Sequence, residues 1–367
     1  MTNILLTNFH PGNGGGHTTY IKSIVNQFKD SEFKFIIAAP KKSLIFKSLK
    51  QNYPERVFDI DFPSKIREII GILRNIQRFN YIINKYAIDI VHVNGSPDHK
   101  IAAACKLLFR RNYKIVRTKH DSIQIKNNFF SKKIFSKYTD SLIVVSNFQM
   151  KNIVPDYLKQ KTSVIHNGID TSFFSPMLKN KKLCNELNIS NKDIVLVSVA
   201  GTAYHKGWHL LVRALSEVTT KINFKIILVG NAPNERMMQD CVESISMNKS
   251  VHFLPYSNDV REIIALGDIG FVLSTNIETI SYACREMMSM GKPVLVSDYA
   301  GLKENVEHKI NGWVTTAGSL EDLRAFLLSF NPEVLEEMSL NAREKACKDF
   351  GIKKFLDKTA LIYKNLL

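Results

Sequence analysis

No stretch of this 367-residue chain is long and apolar enough to cross a bilayer, which takes about 18 residues. The opening MTNILLTNFH has no basic segment, apolar segment and small-residue cleavage site in succession, so it reads as a first buried strand and not as a secretory leader. Cysteine is sparse. Cys105, Cys184, Cys241, Cys284 and Cys347 are odd in number, and no two have metal-ligand spacing, so reduced thiols are expected and a disulfide framework is not. A G-x-G-x-x-G loop is also missing, and the second strand candidate runs into Ala38-Ala39-Pro40 without an acidic residue, which argues against a dinucleotide cofactor.

Acidic residues are scarce in one half only. Residues 1–175 hold 27 Lys and Arg against 12 Asp and Glu, a net of +15, whereas residues 176–367 hold 23 against 22, a net of +1. Such asymmetry points to a polyanionic partner for the first half, either nucleic acid or an anionic membrane surface. A lysine-rich proteome is the bland alternative, but it leaves the neutral half unexplained. No recognition helix or aromatic platform accompanies the charge, so no nucleic-acid partner is expected.

What the chain does have is a repeated alternation. Strand candidates Asn3–Thr7, Phe33–Ala39, Asp89–Val93, Lys114–Thr118, Ser141–Val145 and Thr162–Ile165 alternate with helical segments, the clearest being Ser64–Tyr86. Several are unbroken Val/Ile runs, as parallel strands buried on both faces require. After a stretch with Pro176 and Lys179, Lys181 and Lys182 the series restarts with Ile194–Val199, Phe224–Val229, Val251–Leu254, Ile269–Ser274, Val294–Ser297 and Trp313–Thr315, and Pro332–Leu367 reads as helical. The expectation is an α/β chain of two doubly wound, Rossmann-like domains, 1–175 and 176–352, with the last helix, 353–367, returning to the first.

Three loops carry candidate chemistry. The first is Pro11-Gly12-Asn13-Gly14-Gly15-Gly16-His17, between a strand and a helix, where glycine lets backbone N–H groups approach an anion. A plain tight turn would look the same. The second, Gly201-Thr202-Ala203-Tyr204-His205-Lys206-Gly207, places a cation before a helix start, where it can neutralise a departing diphosphate. Taken alone, Lys206 is equally a solvated surface lysine. The third leads from strand Ile269–Ser274 into Glu278, with Glu286 on the helix that Gly291-Lys292-Pro293 ends. Both carboxylates then face the sheet edge where open α/β folds bind ligands.

The run Glu278-Thr-Ile-Ser-Tyr-Ala-Cys-Arg-Glu286-Met-Met-Ser-Met-Gly-Lys-Pro-Val resembles the E-x7-E motif of family 4 glycosyltransferases of GT-B fold. Gly14-Gly15-Gly16, His120-Asp121, Ser146, Val164-Ile-His-Asn-Gly-Ile-Asp170, Gly301-Leu-Lys-Glu304 and Asn311-Gly312 resemble further family elements in the right order. The resemblance implies a retaining, metal-independent hexosyltransferase with no cofactor, whose domains face each other across a cleft. It would use a UDP- or GDP-sugar donor and a glycan or lipid-linked glycan acceptor held by the first domain, in the cytoplasmic synthesis of bacterial surface polysaccharide or lipopolysaccharide. A nucleotide-sugar epimerase or hydrolase of the same fold is the alternative.

The resemblance also implies roles. Glu286 would bind ribose hydroxyls and Glu278 the donor sugar. Lys206 would hold the diphosphate with amides near Ile280, Ser281 and Tyr282, and the Gly15 and Gly16 amides would cover it. His120 would touch the donor sugar near the reaction centre. Two positions depart from the pattern: Thr202 stands where an Arg is usual, with His205 as a candidate substitute, and Ser281 stands where Gly is frequent. Lys126–Tyr138 interleaves Phe129, Phe130, Ile134, Phe135 and Tyr138 with Lys126, Lys132, Lys133 and Lys137. The same composition suits a peripheral helix on an anionic membrane or a core-facing stripe with solvated lysines.

Overall fold

The computed structural model describes residues 1–12, 15–28, 32–63, 69–231, 250–257 and 259–367, without the side chains of 27 and 69. Asn13 and Gly14 of the glycine loop and the first five residues of the Ser64–Tyr86 segment lie outside them. The described residues form two compact units, Met1–Gly168 with Lys353–Leu367, and Ile169–Ile352.

In the first unit, seven parallel strands lie in the order β3-β2-β1-β4-β5-β6-β7. They are β1 (Thr2–Thr7), β2 (Phe33–Ala39), β3 (Val57–Asp59), β4 (Ile90–Val93), β5 (Lys114–Lys119), β6 (Ser141–Val144) and β7 (Thr162–Val164). Right-handed crossovers put the helices 69–85, 96–108 and 129–137 on the face opposite 16–27 and 44–52. Ile76, Phe79 and Ile83 of one helix and Ile101 and Cys105 of the next bury against Leu5, Val91 and Ile115 of the sheet. On the other face, Phe355 and Tyr363 of the last helix (Ile352–Lys364) anchor it to the unit. The Phe355 ring meets Tyr20 at 5.2 Å, and the Tyr363 hydroxyl lies 2.6 Å from His92 Nδ1.

The second unit is a six-stranded parallel sheet in the order β10-β9-β8-β11-β12-β13. Its strands are β8 (Asp193–Ser198), β9 (Asn223–Val229), β10 (Val251–Leu254), β11 (Ile269–Val272), β12 (Val294–Ser297) and β13 (Gly312–Thr315). Both sheets reverse their order beside the first strand, which opens a crevice at the carboxyl ends of the central strands. β11 and β12 are buried at every position, as unbroken apolar runs predict.

The sequence reading misses β3. It is three residues on a sheet edge, too short for any periodicity, and it is held by pairing Ile37–Ala39 with Val57–Asp59.

Candidate functional site

At the carboxyl edge of the second sheet, two loops are tied together. After β8 the chain passes Gly201 at φ +88° and makes a tight 3-10 turn, Tyr204–Lys206. It then reaches Gly207 at φ +70°, where a Cβ would run into the Leu273 carbonyl. This close approach fixes the turn against the end of β11, and the Thr275 N–H donates to the His205 carbonyl at 2.9 Å. Lys206 Nζ thereby reaches Glu278 Oε2 at 2.9 Å, with side chains 20% and 10% exposed. Ser274 Oγ donates to the same oxygen at 3.3 Å, and the N–H groups of Thr279 and Ser281 donate to Oε1 at 3.1 and 3.2 Å. A single carboxylate thus collects an ammonium, a hydroxyl and two amides.

Ser281 N-caps the helix Tyr282–Ser289, accepting the Cys284 N–H at 3.3 Å, and its φ is +52°. That backbone explains why glycine suits this position. The preceding turn is pinned from behind. Asn305 Nδ2 donates to the Ile280 carbonyl at 2.7 Å, its Oδ1 accepts Arg285 Nε at 2.8 Å, and the buried Arg285 guanidinium stacks 4.0 Å from the Phe350 ring centroid. Glu286, on the next turn, is half-buried. Among the described residues its carboxylate has no hydrogen bond or ion pair, and burial pushes it up to about 7. A carboxylate in that position suits neutral hydroxyl donors better than a cation-locked one.

The two departures from the family pattern have physical outcomes. The Thr202 hydroxyl is committed to the Asn231 carbonyl, and its own carbonyl accepts Trp208 Nε1 at 2.9 Å. His205 is held below the ordinary imidazole value by burial and then by the Lys206 charge, so at neutral pH it brings no second cation.

The corresponding edge of the first sheet is built from rings. Gly15, at φ +97° with open space where a Cβ would sit, precedes the helix Gly16–Gln27, which has no side-chain cap. His120 follows β5, its ring 4.5 Å from His17 and 4.6 Å from Tyr20. Asn94 Nδ2 donates to the Thr7 carbonyl at 2.9 Å, which leaves Asn94 Oδ1 to accept from His120 Nε2 at 2.9 Å and makes Nδ1 the acceptor nitrogen of that ring. Burial, followed by repulsion from a protonated His17 and from the Arg117 charge, holds His120 well below its ordinary value, and burial and Arg117 take His17 to about 4. Both are neutral imidazoles at physiological pH.

The structure therefore brings Lys206, Glu278, Ser281 and Glu286 to one sheet edge and Gly15, Gly16 and His120 to another. Sequence reasoning missed Asn94, His17, Arg285 and Asn305. These act through tertiary contacts, and only Arg285, lying between the two glutamates, and His17, closing the glycine loop, carried any local signal. One Asp-x-Asp stands in the sequence, Asp59-Ile60-Asp61, at the end of β3, where Asp59 accepts the Lys41 N–H at 2.9 Å. Among the described residues no group of three His, Cys, Asp or Glu side chains could hold a metal ion.

Comparison with known proteins finds relatives of both units. The family model for glycosyl transferases group 1 matches residues 179–345, and that for glycosyltransferase family 4 matches residues 14–173. The chain belongs to family 4 of the GT-B glycosyltransferases. An N-acetyl-alpha-D-glucosaminyl L-malate synthase from Bacillus anthracis is 25% identical over 324 residues, covering 84% of this chain and 80% of that protein. A UDP-Gal:alpha-D-GlcNAc-diphosphoundecaprenol alpha-1,3-galactosyltransferase from Escherichia coli is 24% identical over 300 residues, 77% of this chain and 76% of the other. In fold, a glycosyltransferase from Rickettsia africae superposes with a TM-score of 0.83 at 22% identity, covering 100% of this chain and 98% of that one. HepE from Anabaena, solved in complex with UDP-glucose, superposes at 0.81 with 20% identity and full coverage of both chains.

Proposed function

We propose that this glycosyltransferase transfers a hexose-type sugar from a UDP- or GDP-sugar to a glycan or lipid-linked glycan acceptor, with retention and without a metal ion. The observation that carries the reading is the tie of Lys206 and the Ser281 amide to Glu278 at the carboxyl edge of the second sheet, with the half-buried Glu286 on the helix that follows. Glu286 takes the ribose hydroxyls, Lys206 and the amides around Ser281 take the diphosphate, and Glu278 takes hydroxyls of the sugar. From the first unit, His120 is assigned to the donor sugar and the Gly15 and Gly16 amides to the diphosphate. The bond from the anomeric carbon to the diphosphate oxygen breaks, and the acceptor oxygen bonds that carbon on the same face. The acceptor's proton passes to the departing phosphate, whose growing charge Lys206 and the amides stabilise.

Among the relatives are a putative colanic acid biosynthesis glycosyltransferase from Salmonella typhimurium and an O-antigen biosynthesis glycosyltransferase from Escherichia coli. They support a role in bacterial surface polysaccharide or lipopolysaccharide synthesis. The first unit is proposed to dock on an anionic membrane surface from the cytoplasmic side. No helix among the described residues is long and apolar enough to cross a membrane.

The test is a thermal-shift screen of nucleoside diphosphates and their sugars, since a ligand of the native state raises its stability. NMR of the product's anomeric centre follows, with and without EDTA. A stabilising nucleotide sugar, an anomeric configuration equal to the donor's and EDTA-insensitive turnover are expected. Inverted product or loss of activity in EDTA overturns the mechanism.

A further inference from the structure

Glu278 occupies groups that the reading above assigns to the donor diphosphate. Its Oε2 takes Lys206 Nζ at 2.9 Å and Ser274 Oγ at 3.3 Å, while its Oε1 takes the Thr279 and Ser281 N–H groups at 3.1 and 3.2 Å. The two oxygens of one carboxylate thus copy what two phosphate oxygens would receive at a helix N-terminus flanked by a lysine. Glu286, eight residues on, holds none of these groups.

We propose that Glu278 is the resident anion of the diphosphate site, displaced by the intact donor and returning to expel the nucleoside diphosphate product. The proposal rests on the assignment of Lys206 and the Ser281 amide to the diphosphate. An incoming donor competes with the carboxylate for Lys206. Once displaced, Glu278 exchanges an ammonium and two amides for hydroxyls of the donor sugar. A nucleoside diphosphate without its sugar offers no such exchange, so it meets the full competition of the carboxylate. The site then favours donor over product by a group built into the same loop, and transfer of the sugar itself weakens the hold on what remains.

A plain sugar contact and a resident anion predict different effects of one substitution. Glu278→Gln keeps Oε1 for the two amides but puts an NH2 where Oε2 met Lys206. If Glu278 only contacts sugar, this variant binds nucleotide sugar more weakly and nucleoside diphosphate unchanged. As resident anion, it binds the diphosphate more tightly once its carboxylate is gone.

The experiment is calorimetric titration of UDP and of GDP, in EDTA, into wild type, Glu278→Gln, Lys206→Ala and the double variant, with thermal unfolding of each as a fold control. For whichever nucleotide binds, Glu278→Gln is expected to tighten it about 5- to 10-fold, the scale of one part-buried ion pair. In the Lys206→Ala background the gain is expected to shrink to about 2-fold or less, because the coupling between the two residues is lost. Glu278→Asp, which keeps the charge but shortens its reach, gives a smaller gain and serves if the glutamine variant does not fold. An unchanged or weakened diphosphate affinity in Glu278→Gln overturns the proposal. So does an equal gain in both backgrounds, which would mark general charge repulsion. If Lys206→Ala leaves diphosphate affinity as it was, the assignment of Lys206 itself fails, and the proposal fails with it. If Lys206→Ala loses affinity and Glu278→Gln gains none, only the resident-anion proposal fails.

Discussion

The two units solve the same topological problem with different chemistry. Each reverses strand order beside its first strand, and each follows that strand with a glycine at positive φ and open space, Gly15 in one and Gly201 in the other. In the second unit the edge then fills with charge: a lysine, a carboxylate that grips it, and a second carboxylate left unpaired among the described residues. In the first unit it fills with imidazole and phenol rings, His17, Tyr20 and His120, themselves uncharged at neutral pH, and its charges, the buried Arg117 and the Lys119–Asp121 ion pair, stand beside them. The outer surfaces differ in the opposite sense, since the first half of the chain carries the +15 and the second is neutral. Fixed charge at an edge suits an ionic ligand whose charge must be balanced. Neutral rings suit groups that are apolar or hydroxylated, leaving long-range attraction to the outer surface.

The sharpest way to break this comparison is to remove one group from each edge. Glu286→Ala is expected to lower nucleotide-sugar affinity about 100-fold, since hydrogen bonds to a charged group contribute about 1.5–3 kcal/mol. His120→Ala is expected to lower kcat by roughly 100-fold with donor affinity nearly unchanged, because a contact near the reaction centre strengthens in the transition state. Titration calorimetry and initial rates separate the two, and an interchange of the two effects would reverse the assignment of the edges.

The outer-surface contrast comes next. The helix Phe129–Lys137 has no buried residue, with Phe129 72% and Phe130 76% exposed beside Lys132, Lys133 and Lys137 and no acidic residue. Each cation near an anionic bilayer contributes ~1 kcal/mol, so replacing these three lysines with glutamate should remove at least ~3 kcal/mol of docking. Co-sedimentation with anionic and neutral vesicles at low and high salt measures it, with binding confined to anionic vesicles and fading as screening shortens. Wild type that ignores anionic vesicles at low salt sinks the docking proposal.

A smaller contrast lies in pH. The His17 pKa is depressed from 6.5 to about 4, so the folded state binds fewer protons there, and stability is lost as pH falls from 6.5 towards 4. The Glu286 pKa is raised from 4.5 to about 7, so the folded state binds more, and stability is lost as pH rises from 4.5 to 7. After allowing for partial exposure each amounts to ~2 kcal/mol. Relative to wild type, Glu286→Gln should therefore gain stability at pH 8 over pH 4.5, and His17→Phe the reverse. Thermal unfolding across that range, with both variants shifting in parallel, would refute the opposed signs.

Much of this was legible in the sequence because buried parallel strands write themselves as apolar runs. The strands read from the sequence recur in the structure within a residue or two, and Lys206, Glu278 and Glu286 lie on the turn, loop and helix that follow β8 and β11, on the side where the fold places ligands. What was not legible depends on contacts distant in sequence. β3 exists because β2 offers it an edge, Asn94 orients His120 from 26 residues away, and Asn305 holds Ile280 from 25 away. Amphipathic pattern also left the face of Phe129 and Phe130 undecided until their exposure resolved it. The sequence likewise places Glu278 and Lys206 as separate ligand contacts, and only the fold brings them onto each other.

The smallest effect tests the loop that gives the second edge its charge. Ser281 sits at φ +52°, where a side chain is strained by roughly 1 kcal/mol or more, and its hydroxyl returns part of that through the bond to the Cys284 N–H at 3.3 Å. Ser281→Gly removes the strain and loses a cap that glycine replaces at a cost of only a few tenths of a kcal/mol. The net expectation is a gain of about 0.5 kcal/mol, a rise in Tm of a degree or two for a chain of this size. The Ser281 N–H would keep its place towards Glu278, so nucleoside diphosphate affinity should not move by more than about 2-fold. A variant that is less stable would mean that the serine cap outweighs the backbone strain. The frequency of glycine at this position in the family would then need a reason other than conformation, such as room for a phosphate oxygen against the bare backbone.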